Sequence, residues 1–108
     1  MAGVTQITVA GLKAKRDAGE SFCLLDVREP WEVALASIPG CVCIPLNEIP
    51  GRLTELDGNL EIIVMCKLGG RSQRAAEFLA RQGLARVANL QGGIDAWARE
   101  IDPGVPSY

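Results

Sequence analysis

The chain has 108 residues, 48% of them apolar and 22% charged, with 11 basic and 13 acidic side chains, no histidine and a net charge of −2. This composition supports a single folded domain over residues 1–108 with material for a core, and excludes a disordered chain or bulk attraction to nucleic acid or an anionic membrane. No apolar run approaches a bilayer span, and the opening Met1-Ala2-Gly3-Val4-Thr5 lacks the regions of an export signal, so a cytoplasmic location is expected.

Gln6 to Thr8 reads as a short edge strand, and Thr8 as the cap of a helix running to about Ala18 and stopped by Gly19. Phe22-Cys23-Leu24-Leu25-Asp26-Val27 is a continuous apolar run, as a strand covered on both faces carries. Arg28-Glu29-Pro30-Trp31 turns into a short helix, with Pro30 where a first helical turn tolerates it. Ile38-Pro39-Gly40 is a turn and Cys41 to Ile44 the next strand. Asn47 opens a helix-like segment that Pro50 and Gly51 weaken and Asp57-Gly58-Asn59 ends. Residues 61–65 form a buried strand. Ser72 to Gln82 has the best helical pattern, with Ala75, Ala76 and Leu79 on one face and Gly83 as its stop. Val87 to Leu90 is a last strand, Gly92-Gly93 opens a helix through Trp97 to about Glu100, and the tail from Asp102 is irregular. Strands alternating with helices predict an α/β fold, a parallel sheet covered by helices.

The chemistry concentrates where the strand at 61–65 delivers Cys66 into the loop Lys67-Leu68-Gly69-Gly70-Arg71-Ser72. In an open parallel sheet, ligands bind beyond the carboxyl ends of the strands. Gly69 and Gly70 permit a tight, left-handed turn that lets the amides of residues 67–72 converge on the sulfur. The helix that follows adds about half an elementary charge at its N-terminus. Lys67, Arg71 and Arg74 are expected to reinforce it, so Cys66 is expected to ionise readily. A small apolar residue followed by a glycine turn is the plainer reading of the cysteine and glycines alone. The complete run of strand, cysteine, Gly-Gly-Arg-Ser and helix favours the reactive one.

The remaining candidates read more quietly. Without histidine, Cys-His catalysis is excluded within the chain, and Cys23, Cys41, Cys43 and Cys66 form no CxxC pair, so neither a metal nor a cofactor is expected. Cys23 reads as core filler. Cys41 and Cys43 share a strand face, as packing residues or as a resolving thiol for oxidised Cys66. Asp26 and Arg28 at another strand's carboxyl end suggest a structural ion pair. Trp31 and Trp97 read as core anchors, with Trp31 alternatively at the rim of the pocket.

Four motifs in register resemble the rhodanese (sulfurtransferase) family. They are Leu24-Leu25-Asp26-Val27-Arg28-Glu29-Pro30-Trp31-Glu32, the Ile38-Pro39-Gly40 turn, the loop Cys66 to Ser72, and Leu90-Gln91-Gly92-Gly93-Ile94-Asp95-Ala96-Trp97. The resemblance implies a three-layer α/β/α domain with a five-stranded parallel sheet. It implies Cys66 as the persulfide-forming cysteine, Lys67, Leu68, Gly69, Gly70, Arg71 and Ser72 as the substrate-binding loop, and Asp26 and Arg28 in support. Ser37 stands where many single-domain members carry a histidine. The ending, Trp97 to Tyr108, is similar to the C-terminal module of adenylyltransferase/sulfurtransferase fusions. That likeness implies thiosulfate or a persulfide donor protein as the sulfur source. It further implies a ubiquitin-like sulfur carrier and an adenylyltransferase domain as partners, in molybdopterin, thiamine or tRNA sulfur pathways.

Two rivals stand beside this reading. A cysteine-dependent phosphatase places five residues between cysteine and arginine, where this chain has four, a ring too tight for a phosphoryl group on sulfur. A non-catalytic rhodanese-like docking or regulatory domain usually lacks the cysteine that this chain retains.

Overall fold

The computed structural model describes residues 3–108. Five strands, β1 (Thr5–Ile7), β2 (Phe22–Asp26), β3 (Val42–Cys43), β4 (Glu61–Met65) and β5 (Val87–Leu90), form one sheet in the order β1-β5-β4-β2-β3. Every pairing is parallel. Parallel neighbours need crossovers, and these are α1 (Val9–Asp17), α2 (Pro30–Leu35) and α3 (Gly70–Arg81) together with two 3-10 segments, Leu46–Gly51 and Leu53–Glu55, while α4 (Gly93–Glu100) follows the last strand.

The sheet is buried on both faces, which is why its strands read as unbroken apolar runs. Ile63 and Met65 of β4 face a cluster with Val9 and Leu12 of α1 and Ile94 and Trp97 of α4. Ile62 and Val64 face the other way, onto Ala75, Ala76 and Leu79 of α3 and Ile49 of the first 3-10 segment. The result is the expected three-layer α/β/α architecture. No helix among the described residues is long and apolar enough to cross a membrane.

Several boundaries differ from the sequence reading for local reasons. Thr8 leaves β1 because its hydroxyl accepts the Gly11 amide and caps α1. Only Val42 and Cys43 pair in β3, an edge strand with one neighbour. Pro50, which lacks an amide hydrogen, stands inside the segment after Leu46, and that segment is 3-10 rather than α. α3 begins at Gly70, two residues before the expected start. Trp97 is a core residue at 6% exposure, whereas Trp31 is 64% exposed and is no core anchor.

One contact between layers fixes the future site. The amides of Ile94 and Asp95, at the start of α4, donate to the carbonyls of Cys66 and Lys67 at 3.0 and 3.1 Å. The approach is so close that a Cβ on Gly93, whose φ is +56°, would lie 2.4 Å from the Cys66 carbonyl oxygen. Gly93→Ala is therefore expected to destabilise the fold by about 2–4 kcal/mol, measured by denaturant unfolding. An unchanged midpoint would contradict this packing.

Candidate functional site

The end of β4, the loop and the first turn of α3 are a continuous cradle around one sulfur. Gly69 precedes α3 with φ +116°, a left-handed conformation in which a side chain is strained. A Cβ there would also approach the Leu90 carbonyl and the Gly92 amide, each at 3.6 Å. Gly70 has no positive φ and nothing near the place of a Cβ, so the turn depends on Gly69 and not on the pair.

This turn brings the Gly69 amide to 3.1 Å and the Ser72 amide to 3.4 Å from Cys66 Sγ. Ser72 Oγ lies 3.3 Å from the same sulfur. Cys66 is 1% exposed, and such burial alone would push its thiol pKa up. The Ser72 hydroxyl and the amides of Ser72, Gly69 and Leu68 outweigh burial, and the net direction is down. Cys66 belongs to the core cluster that holds Val64 and Ala75, yet the amides of Gly69 and Ser72 point at its sulfur.

Ser72 has one proton and two claimants. Its hydroxyl donates to Asn89 Oδ1 at 2.5 Å, which leaves a lone pair for the thiol proton of Cys66. Once the sulfur is ionised, the same proton is needed there. Asn89 can then rotate its amide to donate to Ser72 Oγ. Gln6 and Gln73 continue the chain, with the Asn89 amide donating to Gln6 and the Gln6 amide to Gln73 Oε1. Asn89 is thus a buried polar residue tied to the sulfur through Ser72. Its signal in the sequence is a lone amide on the core face of Val87–Leu90, and the sequence reading missed it.

The loop's two cations are not aimed at the sulfur. Lys67 Nζ donates to both Asp95 carboxylate oxygens at 3.0 Å, and Arg71 forms a two-pronged pair with Glu32. Both cations are thus held in ion pairs, and Arg71 still interacts electrostatically with Cys66. Leu68 projects outward at 66% exposure. Asp26 and Arg28 are both fully buried, joined at 2.6 Å between Oδ2 and Nη2, and Arg28 also donates to the Ala36 carbonyl.

Glu32 and Tyr108 are further residues the sequence reading did not single out. Glu32, 3% exposed, accepts from Arg71, from the Tyr108 hydroxyl at 2.7 Å and from the Glu29 amide. Tyr108 also accepts from Arg28 Nη1 at 3.0 Å, and Lys67 Nζ lies 4.7 Å from its ring centre. Trp31 packs edge-on against the same ring at 6.2 Å. Hydrogen bonds from Arg71, against the opposing effect of burial and with help from Tyr108, hold the Glu32 carboxyl down to about 2.

Two outcomes test this geometry. Because the folded pKa of Glu32 lies below its unfolded value of about 4.3, its stabilisation is complete above that pH and is lost as pH falls through about 2. Urea unfolding from pH 6 down to 2.5 should show that loss, up to about 3 kcal/mol, and Glu32→Gln should flatten it. Separately, Ser72→Ala should raise the Cys66 pKa, read as an alkaline shift in the pH dependence of iodoacetamide alkylation. Asn89→Asp should raise it too, by holding the Ser72 proton away from sulfur. Most of that second effect should vanish in the Ser72→Ala background.

Comparison with known proteins agrees with the geometry. The Rhodanese-like domain family matches residues 8–100. A sulfurtransferase of Allochromatium vinosum is 38% identical over 96 residues, covering 89% of this chain and 90% of its own. An adenylyltransferase and sulfurtransferase of Zea mays is 34% identical over 110 residues, 95% of this chain, and the chain spans only 23% of that protein's length. Among solved structures, a rhodanese-like domain protein from Staphylococcus aureus superposes with a TM-score of 0.84 at 30% identity, over 97% of this chain and 99% of the other. The chain belongs to the rhodanese-like domain family.

Proposed function

We propose that this protein is a sulfurtransferase, a single module that carries sulfane sulfur as a persulfide on Cys66. The observation that carries the reading is the convergence of the Gly69 and Ser72 amides and the Ser72 hydroxyl on one sulfur at a strand end. The sulfurtransferase relative from Allochromatium vinosum, matched over nine-tenths of its length, supports it.

The proposed cycle has two displacements. The Cys66 thiolate attacks the outer sulfur of thiosulfate; a sulfur–sulfur bond forms to Cys66, the donor's own sulfur–sulfur bond breaks, and sulfite leaves with the electron pair. A persulfide on a donor protein serves in the same way, its thiolate leaving instead. The terminal sulfur of Cys66-S-S⁻ carries the charge, and fixed N–H dipoles stabilise it without reorganising. A nucleophile then takes that sulfur: cyanide leaves as thiocyanate, a thiol as its persulfide, and the Cys66 thiolate returns. Amides suit this task because the anion shifts outward by one atom between the two states.

The Zea mays relative is an adenylyltransferase and sulfurtransferase, which supports an adenylyltransferase domain as the partner; the acceptor in this reading is a ubiquitin-like sulfur carrier. Neither nucleic acid nor a membrane has a role in this reading, and the cycle needs no metal or cofactor. The four-residue spacing between Cys66 and Arg71 argues against a phosphatase.

Thiosulfate treatment should add 32 Da, one sulfur, to the intact protein, and cyanide should remove it with release of thiocyanate. Cys66→Ala should abolish both. An adduct that survives Cys66→Ala would refute the assignment.

A further inference from the structure

Outside this site, the described residues hold a pair of neighbouring sulfurs. Cys41 Sγ and Cys43 Sγ lie 3.6 Å apart where the chain enters the edge strand β3. Cys41 is half-buried and Cys43 exposed. Asp26 presents a carboxylate oxygen close by, all three groups falling within 4.8 Å of one another. A cleft lined by Pro30, Val33, Pro45 and Glu48 reaches Cys43 from solvent.

Two fates are open to a pair of neighbouring thiols, and geometry separates them. A disulfide needs sulfurs at about 2.05 Å and Cα atoms about 4.4–6.8 Å apart. Residues two apart along an extended chain stand about 6.6 Å apart, at the top of that range, with parallel Cα–Cβ bonds. Closing the bond would bend the chain out of its pairing with β2, in which Val42 and Cys43 face Leu25 and Asp26. A chelated cation asks for no such movement. With metal–sulfur bonds of about 2.3 Å and a tetrahedral angle, two ligating sulfurs lie about 3.8 Å apart, close to the separation already present.

We propose that Cys41 and Cys43 form a two-thiolate chelate for a soft divalent cation. Thiolate donors select zinc-like and softer ions over magnesium or calcium. Asp26 is not one of the ligands, since both its oxygens already accept from Arg28. Binding converts two thiols to thiolates and releases two protons per cation, so no oxidant or reductant takes part. Burial and the neighbouring thiol push Cys41 up to about 12, and the cation must displace that proton.

The probe is Cd²⁺, and the protein is the Cys66→Ala variant, which removes the competing sulfur and makes the outcome independent of sulfur transfer. Thiolate-to-cadmium ultraviolet absorption should rise and saturate at one cation per chain. Cys41→Ser and Cys43→Ser should each abolish it. In the same protein with all three remaining cysteines, Cd²⁺ should shield Cys41 and Cys43 from alkylation, read by peptide mass, and leave Cys23 unshielded; this arm does not require the serine variants to fold. Absorption that survives either serine substitution, or the absence of shielding at both cysteines, would overturn the proposal. So would rapid formation of a Cys41–Cys43 disulfide under mild oxidation in place of cadmium binding.

Discussion

The two hydrogen bonds from the start of α4 to the carbonyls of Cys66 and Lys67 govern the rest of the site. A peptide unit is planar and trans, so its carbonyl and amide point in opposite directions. Holding the Lys67 carbonyl toward Asp95 turns the Leu68 amide the other way, toward the sulfur. The left-handed turn at Gly69 continues the curl and adds its own amide, and α3 supplies the Ser72 amide from its unpaired first turn. Gly93 is required because no side chain fits between α4 and this loop. The cradle is therefore made by packing between layers, not by the loop alone.

That construction explains why the nearby cations are already paired. A guanidinium in direct contact with the thiolate would lower its pKa further, but nucleophilicity falls along with pKa. Here Arg71 is engaged by Glu32 and Lys67 by Asp95. The sulfur is hydrogen-bonded by amide and hydroxyl dipoles alone, with the ion pairs as a frame around it. On the proposed cycle this balance is useful. Dipoles stabilise charge on either the thiolate or the persulfide, whereas an ion pair would be tuned to one position and would slow release from it. The Glu32 carboxylate, gripped by residues of α3 and of the C-terminal tail, keeps the loop's far side in place.

What the sequence discloses follows the range of the forces involved. The strands and α3 are legible because burial on both faces writes long apolar runs and a helical stripe. Cys66 is legible because strand, cysteine, glycine, arginine and helix are contiguous. The partners of its loop are not. Glu32 stands 39 positions from Arg71 and 76 from Tyr108, and nothing local marks either pairing. The nearness of Lys67 and Arg71 to the cysteine is legible; their pairing with carboxylates of other elements is not. Of the two places read for Trp31, the core one fails for a related reason. Aromatic character predicts burial on average, but α2 turns this ring outward against Tyr108. Asn89 was recoverable, since an amide on the inward face of an apolar strand must find a partner.

The burial of the sulfur sets a condition on any chemistry there. At 1% exposure, no reagent reaches Cys66 along the path of its own strand. One flank is held by α4 through the Cys66 and Lys67 carbonyls, and the other by α3, Ser72 and the Arg71–Glu32 pair. Between these anchors lie Leu68, Gly69 and Gly70. Leu68 is largely exposed, and Gly70 has open space where a side chain would be. The Gly69 carbonyl in turn accepts the Gln73 amide of α3 at 3.1 Å, so this lip is tied to the helix as well as to the sulfur.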